Sequence, residues 1–370
     1  MKKWAAGGIL LLLPFFAFPH SSGDMELQFQ APKFFGAFFL GNLGFSFFLA
    51  KAVSRYVAIA HLALSFLVLV TGFGSFQLYP YAYWVCGLML GLWVVDSGGL
   101  WFWKILGASA VLVAIQAYFQ TIGHYWPLQY APGIQPGQPI AFMGQHTKLG
   151  AYLSACVPVL ITLSWWPAAA FVAFVCLLTK SSFTFASLCA GIVVALRYKV
   201  SRRFSASLIV LGLMAVGALY LINPTADLFF SHGRLDVWRD TWNAWQVRPI
   251  FGHGPGAFRA LFSSMYELQG TYERGGGHFQ QAHNDYLQVL FEGGMFGALA
   301  ATVLLIGIAK AYWKTWWSTG YATAPVRCAQ GALAALLVNA IGNFPFQLAP
   351  HFLVGIVSLV FLLRFAQELR

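Results

Sequence analysis

The chain has 370 residues, of which 59% are apolar, 17% aromatic and only 9% charged, and its mean hydropathy is +0.68. A composition this poor in charge excludes the ordinary soluble classes and is typical of a membrane protein with many spans. The net charge of +11 does not indicate a nucleic-acid partner, because most basic residues lie in short loops and leave no basic stripe. The five cysteines show no spacing typical of a disulfide, zinc or haem site, so we expect packing roles for them.

The apolar runs predict an all-α polytopic membrane protein with about twelve transmembrane helices, since each crossing needs roughly 20 mostly apolar residues. The predicted spans before the long loop are residues 4–19, 33–50, 55–73, 79–95, 100–122, 147–164, 166–180, 183–199 and 204–222, and those after it are 286–309, 325–343 and 350–367. The chain is therefore divided into helices over 1–222, a loop over 223–285 and helices over 286–370, all within one integrated membrane domain.

The distribution of Lys and Arg predicts the orientation, because cytoplasmic loops carry the excess of both residues. Lys2 and Lys3 place the N-terminus in the cytoplasm. The other basic residues that this orientation places there are Lys51, Arg55, Arg197, Lys199, Arg202, Arg203, Lys310, Lys314, Arg364 and Arg370. Both termini are then cytoplasmic, and residues 223–285 lie outside. If residues 4–18 are instead a cleaved signal peptide, the chain that follows is still outside and the topology is unchanged.

Two predicted outer segments are longer than ordinary connections, which have about 4 to 6 residues. Residues 123–145 contain Trp126, several prolines and no charge, and we expect them to cap the bundle. Residues 223–285 are longer still, and a loop of that length is usually functional. Its arginines are Arg234, Arg239, Arg248, Arg259 and Arg274.

Within the long loop, the stretch RLDVWRDTWNAWQV predicts a helix over residues 234–247. Leu235, Trp238, Trp242 and Trp245 fall on one face of that helix. Such a face suits a helix lying in the outer membrane interface, where Trp is enriched, and a functional role for it stays open. Pro249 ends the helix, and GHGPGAF, residues 252–258, predicts a tight turn.

Two lysines break the inside bias. Lys148 stands at the outer end of the predicted span 147–164, and Lys180 at the outer end of 166–180. Either each ammonium group extends to the lipid headgroups, or both converge with Arg234 on an anionic group at the outer face. Pyrophosphate fits the second alternative, because cations and forked guanidinium donors match its oxygens.

The stretch QQAHNDYLQVLFEGGMFG, residues 280–297, places polar residues at the start of an apolar run. His283 opens the predicted span 286–309, with Asn284 and Asp285 available to cap the helix. The partial positive charge of a helix N-terminus disfavours imidazolium, so a neutral His283 is a candidate general base at the membrane surface. The alternative is a structural histidine bonded to a loop carbonyl.

Together these motifs resemble the O-antigen ligase and O-antigen polymerase superfamily. The resemblance is carried by Arg234 and Trp238 in GRLDVW, then Pro249 with GHGPGAF, and then HNDYLQVLFEGGMFG. Their order and spacing are those of the family's signature. The segment GQHTKLGAYLSACVPVL, residues 144–160, agrees with the family more weakly.

One position departs from the family's pattern. After the seventh span the family shows Thr, any residue, Ser and Arg, whereas this chain has TKSS over residues 179–182. Ser182 stands where the Arg is expected, and Lys180 is the candidate substitute for it.

The resemblance implies a GT-C-like glycosyltransferase that moves a glycan from undecaprenyl pyrophosphate to an acceptor hydroxyl, at the periplasmic face of a bacterial inner membrane. No nucleotide sugar, metal or other cofactor is expected. Carried over by position, His283 deprotonates the acceptor, which attacks the anomeric carbon with inversion. Arg234, Lys180 and Lys148 hold the leaving pyrophosphate. The expected supporting residues are Trp238, Asn284, Asp285, His253, Gly254 and Gly256.

The acceptor distinguishes the branches of the family: lipid A core for a ligase, another lipid-linked repeat for a polymerase, or a protein hydroxyl for a protein O-oligosaccharyltransferase. The pattern around HNDYL and the compact outer loop favour the ligase. A transporter of the same lipid-linked glycan is the alternative from another class. It needs ionisable groups deep within the spans, whereas the only acidic residue near a cytoplasmic half is Asp96, with His61 inside the third span. No motif of an intramembrane protease is present in the sequence.

Overall fold

The computed structural model describes residues 86–125, 137–197, 234–266, 280–317 and 322–368, apart from 88, 251 and 255. Within these ranges every regular element is helical and there is no strand, which confirms the all-α class. The α-helices are α1 (Leu100–Thr121), α2 (His146–Thr162), α3 (Trp166–Leu178), α4 (Ser182–Leu196), α5 (Arg234–Val247), α6 (Ala257–Tyr266), α7 (Asp285–Trp317), α8 (Ala324–Asn339) and α9 (Ala349–Glu368). Short 3₁₀ turns lie at Ala141–Met143 and Pro345–Gln347.

Three of these helices contain a stretch long and apolar enough to cross a membrane, namely Leu100–Thr121, Gly297–Trp316 and Ala349–Ala366. Helices α3 and α4 are apolar but shorter. The predicted spans 4–19, 33–50, 55–73 and 204–222, with the first part of 79–95, lie outside the described residues. The count of about twelve spans and the outer position of the long loop therefore stay predictions.

A kink divides the helix that covers the predicted span 286–309. Helix α7 starts at Asp285, but its backbone leaves the helical region at Gly294 (φ 60°, ψ −159°). The part long and apolar enough to span begins only at Gly297. The kink arises because the chain at Ile250 and Gly252 packs against Gly294, where a Cβ would meet the Ile250 carbonyl oxygen at 2.4 Å. His283 thus precedes a short helical segment that ends at the kink, ahead of the stretch long and apolar enough to span.

Helices α2, α4 and α8 pack together at the centre of the described bundle. Small residues allow their backbones to approach closely. A Cβ added at Gly150 would meet Thr184 Oγ1 at 2.2 Å, and one added at Gly331 would meet Pro158 Cβ at 2.5 Å. Asn339, at the end of α8, donates to Ser187 Oγ of α4 at 3.0 Å, which fixes the end of α8 beside the start of α4.

Two basic residues at the predicted cytoplasmic ends of the helices contact neighbouring helices. The Arg197 guanidinium, after α4, lies 3.5 Å from the centroid of the Trp316 ring on α7. Lys314 Nζ donates to the Ala366 carbonyl of α9 at 2.8 Å. These contacts lie at the end of the bundle where α4, α7 and α9 end. The opposite end contains the starts of α4 and α9 and the end of α8, and the candidate site described below lies there.

Helix α5 forms over the residues that the sequence predicts, and its aromatic face is turned away from the protein core. The buried residues of α5 are Arg234, Val237, Asp240, Thr241 and Ala244. Leu235 and Trp242 are exposed, Trp238 and Trp245 are half-buried, and the Trp242 and Trp245 rings lie 4.7 Å apart. The aromatic face therefore points away from the protein core, as a helix in a membrane interface requires.

The kink at Gly294 yields a stability prediction with a neighbouring control. Gly294→Ala should lower the free energy of unfolding by about 1 to 3 kcal/mol, because its backbone conformation is nearly restricted to glycine. Gly293→Ala should leave stability unchanged or raise it slightly, since an added Cβ there meets no atom within 4 Å. Thermal unfolding of both variants in detergent measures the difference, and equal melting temperatures would contradict the kink.

Candidate functional site

The first residues of α7 hold His283 in a defined position. The Asn284 side-chain oxygen accepts the Leu287 N–H at 3.0 Å, so Asn284 caps the helix as predicted. His283 precedes it with a positive φ of 52°, which is uncommon for a residue other than glycine. The half-buried His283 ring meets the Phe344 ring edge to face, with the centroids 4.9 Å apart.

Asp285 is the second capping residue that the sequence predicts, but its side chain does not cap the helix. It joins α7 to the chain after α8 instead. Its N–H donates to the Ala340 carbonyl at 3.0 Å. Its Oδ2 accepts the Phe346 N–H at 2.9 Å. We call residues 340–347 the α8–α9 turn, and the two bonds of Asp285 hold this turn against the start of α7.

Arg234, the first residue of α5, reaches the same turn. Its side chain is 9% exposed, and its Nη2 lies 3.5 Å from the Asn343 side-chain oxygen, a long hydrogen bond. The guanidinium carbon stands 5.5 Å from the centroid of the Phe183 ring, at the start of α4. Burial lowers the pKa of Arg234, although a guanidinium keeps its proton in proteins. Among the described residues, this cation contacts neutral groups.

Lys148, in the first turn of α2, also faces the α8–α9 turn. Its ammonium nitrogen lies 5.6 Å from the centroid of the Phe344 ring, so Lys148 and His283 contact the same side chain. The Lys148 carbonyl accepts the Nε2–H of His351, at the start of α9, at 2.7 Å. This bond fixes the backbone from which the Lys148 side chain extends.

Lys180 lies in the three-residue connection between α3 and α4. Its φ is 51°, and its side chain is exposed. It precedes Phe183, the residue beneath Arg234, by three positions in the chain. Within the described part of the chain, no hydrogen bond or ion pair joins its side chain to Arg234 or His283. The structure thus gathers three of the four predicted reactive residues around Asn343 and Phe344 and leaves Lys180 at the exposed edge.

The GHGPGAF turn docks on α7 through its backbone. The His253 ring stacks on Phe291 with centroids 4.4 Å apart, and its Nε2–H donates to the Ala244 carbonyl at 2.9 Å. The Gly254 N–H donates to the Glu292 carbonyl at 2.8 Å. The Gly256 N–H donates to the Glu292 carboxylate at 2.9 Å. Positive φ angles of 101° and 72° at the two glycines allow these bonds. All three residues therefore support α7.

Two carboxyl groups lie in the first turns of α7, on the buried Asp285 and the half-buried Glu292. Burial raises the pKa of Asp285 from its ordinary 3.8 to about 8, although the Phe346 N–H opposes the shift. Burial also raises the pKa of Glu292, against the N–H groups of the GHGPGAF turn. Near neutral pH Asp285 is therefore largely protonated, and its neutral form is the one that the fold accommodates.

The sequence reasoning missed Asn343, Phe344 and His351. Asn343 is the last residue of the predicted span 325–343, Phe344 lies in the connection that follows it, and His351 lies inside the predicted span 350–367, so none of them stood out as a site residue. The signal that could have found this turn is the polar Asn343 at the predicted outer end of an apolar span. Trp238, predicted as a supporting residue, is half-buried on α5.

Comparison with known proteins gives one match. Residues 167–302 match a family model described as O-Antigen ligase. The matched segment includes Arg234, the GHGPGAF turn and His283, and it confirms the resemblance to the O-antigen ligase superfamily. No curated protein sequence matches the chain.

The shift at Asp285 predicts a pH dependence of stability. The folded-state pKa of about 8 lies above the ordinary 3.8, so the folded protein keeps a proton that the unfolded chain releases. The contribution of Asp285 to stability is therefore greatest below about pH 4 and declines as pH rises towards 8.

Asp285→Asn removes this titration and keeps an oxygen for the Phe346 N–H. Relative to wild type, its melting temperature should rise progressively between pH 5 and about pH 8. Melting curves of the two proteins in the same buffers measure the difference. A constant difference across that range would contradict a protonated Asp285.

Proposed function

We propose that this chain, a member of the O-antigen ligase superfamily, is a glycosyltransferase that moves a glycan from undecaprenyl pyrophosphate to an acceptor hydroxyl. The family indicates a membrane-embedded enzyme that uses a lipid-linked glycan. The observation that carries the finer proposal is the convergence of His283, Arg234 and Lys148 on Asn343 and Phe344. A base and two cations meeting at one end of a helical bundle suit the transfer of a group from a pyrophosphate.

In the proposed reaction His283 acts as the general base. It takes the proton of the acceptor hydroxyl, whose oxygen forms a bond to the anomeric carbon. The bond from that carbon to the pyrophosphate oxygen breaks with inversion, and undecaprenyl pyrophosphate leaves. The α7 cap at Asn284 and the bonds of Asp285 to the α8–α9 turn hold the imidazole in place.

Arg234 and Lys148 receive the negative charge of the leaving group. Cations fixed in a site of low dielectric stabilise developing charge strongly, because they need no reorganisation during the reaction. Arg234 is buried, and its described contacts are neutral, so its charge is available to an anion. These residues take the part that a metal ion plays in other transferases, and we propose a metal-independent reaction.

The geometry favours Lys148 over Lys180 as the second cation. Lys148 contacts Phe344 together with His283, whereas the Lys180 side chain is exposed in the connection before α4. Lys180 still lies at the same end of the bundle and is the residue nearest to the family's missing Arg. We propose that it contributes less to binding the donor than Lys148 does.

We propose lipid A core as the acceptor and the periplasmic face of the inner membrane as the location. The site lies opposite the end where Arg197 and Lys314 meet the neighbouring helices, and an excess of basic residues marks the cytoplasmic side. Another lipid-linked repeat and a protein hydroxyl are the other acceptors that the family chemistry allows.

The base assignment is tested by transfer in detergent from purified lipid-linked glycan to lipid A core, to a protein and to a second lipid-linked repeat, each offered separately. His283→Ala should reduce transfer by about 100-fold or more, because removal of a general base costs that much. His124→Ala is the matched control, since His124 is exposed outside the site. If His283→Ala retains substantial transfer and folds normally, the assignment is wrong.

The cation assignments predict a graded loss of donor use. Arg234→Ala and Lys148→Ala should each raise the donor KM by about tenfold or more, the equivalent of one charge-assisted contact. Lys180→Ala should have a smaller effect. Arg248→Ala, an exposed arginine at the other end of α5, should have none. A silent Arg234→Ala, or an equal loss with Arg248→Ala, would contradict a pyrophosphate site at Arg234.

A further inference from the structure

We propose that Asn343 is a further ligand of the donor's pyrophosphate, beside Arg234. The inference rests on the proposed function and adds a residue from outside the segment that matches the family model, which ends at residue 302. Asn343 lies in the α8–α9 turn, directly before Phe344, and its side chain is buried with 4% exposed.

The orientation of the Asn343 amide follows from its neighbour. A guanidinium has only donors, so the side of Asn343 that faces Arg234 Nη2 at 3.5 Å is its oxygen. The Nδ2 group, with two N–H donors, is therefore left for another acceptor. The assignment of oxygen and nitrogen is thus fixed by chemistry, since a flipped amide would set donor against donor.

The Nδ2 donor has no hydrogen-bond partner among the described residues. A buried polar group without a partner is rare in native proteins, because it loses its hydrogen bonds to water on folding and gains none in return. Here the donor stands beside a buried guanidinium whose described contacts are neutral. An anionic oxygen that accepts from both groups supplies the missing partner.

Asn343 is suited to this place because it is neutral. Its oxygen orients Arg234 without cancelling the positive charge, and its nitrogen adds a donor for the same anion. A carboxylate at this position would pair with Arg234 and repel phosphate. The backbone is fixed independently, since the Asn343 N–H donates to the Asn339 carbonyl at 3.0 Å and Asp285 holds the turn at Phe346.

The test measures the donor KM, the acceptor KM and inhibition by inorganic pyrophosphate for Asn343→Leu and Asn343→Asp. Asn343→Leu should raise the donor KM and the pyrophosphate inhibition constant in parallel by about tenfold, with the acceptor KM unchanged. Asn343→Asp should raise both further, because it adds a negative charge next to the anion. The control is Asn243→Asp, which adds the same charge on the exposed face of α5 and should leave every constant unchanged.

Several outcomes would overturn the inference. Variants that fold and retain the wild-type donor KM would remove Asn343 from the donor site while leaving the proposed function intact. Loss of kcat alone would assign Asn343 to the reacting centre and not to the pyrophosphate. If Asn343→Leu does not fold, the same constants are measured for Asn343→Ser, which also removes the amide but leaves a smaller side chain.

The pyrophosphate of the donor and the phosphate of a membrane lipid share this chemistry, so the lipid is varied as well. In nanodiscs with rising phosphatidylglycerol, the wild-type donor KM should stay constant if the site belongs to the donor. A KM that rises with phosphatidylglycerol in the wild type, but not in Asn343→Leu, would assign the site to a headgroup. Wild-type protein that neither transfers glycan nor binds inorganic pyrophosphate would overturn the proposed function together with this inference.

Discussion

The hydrogen bonds of Asp285 to the α8–α9 turn are the constraint on which the candidate site depends. They bring the start of α7 against the end of α8, although Asp285 and Phe346 are 61 positions apart in the chain. Because of them, His283 meets Phe344, and Arg234 finds an acceptor in Asn343. A buried neutral carboxyl group can make such a connection without bringing a negative charge close to an anionic substrate.

The site is assembled from parts of the chain that are distant in sequence. The proposed base, His283, and the proposed cation Arg234 come from the segment that matches the family model, whereas Lys148 precedes that segment and Asn343 follows it. The GHGPGAF turn stabilises this arrangement from the other side, because it fills the kink at Gly294 and bonds Glu292. The glycines of the motif therefore serve packing.

Much of the fold could be predicted from the sequence, because apolar runs and helix signals are local. Helix α5 and the Asn284 cap follow from neighbouring residues, and the structure confirms both. The buried face of α5 could not be predicted from the spacing of its aromatic residues. It is determined by the packing of Val237 against side chains of other helices. The partner of Arg234 was equally hidden, because Asn343 lies 109 positions away.

A structure of the protein bound to undecaprenyl pyrophosphate in a lipid nanodisc tests the central claim most directly. The account predicts phosphate oxygens within hydrogen-bond distance of Arg234 and Asn343, with the lipid chain leaving between the helices at that end of the bundle. His283 should face the oxygen to which the sugar is attached in the donor. Phosphates bound at the opposite end, near Arg197 and Lys314, would contradict the account.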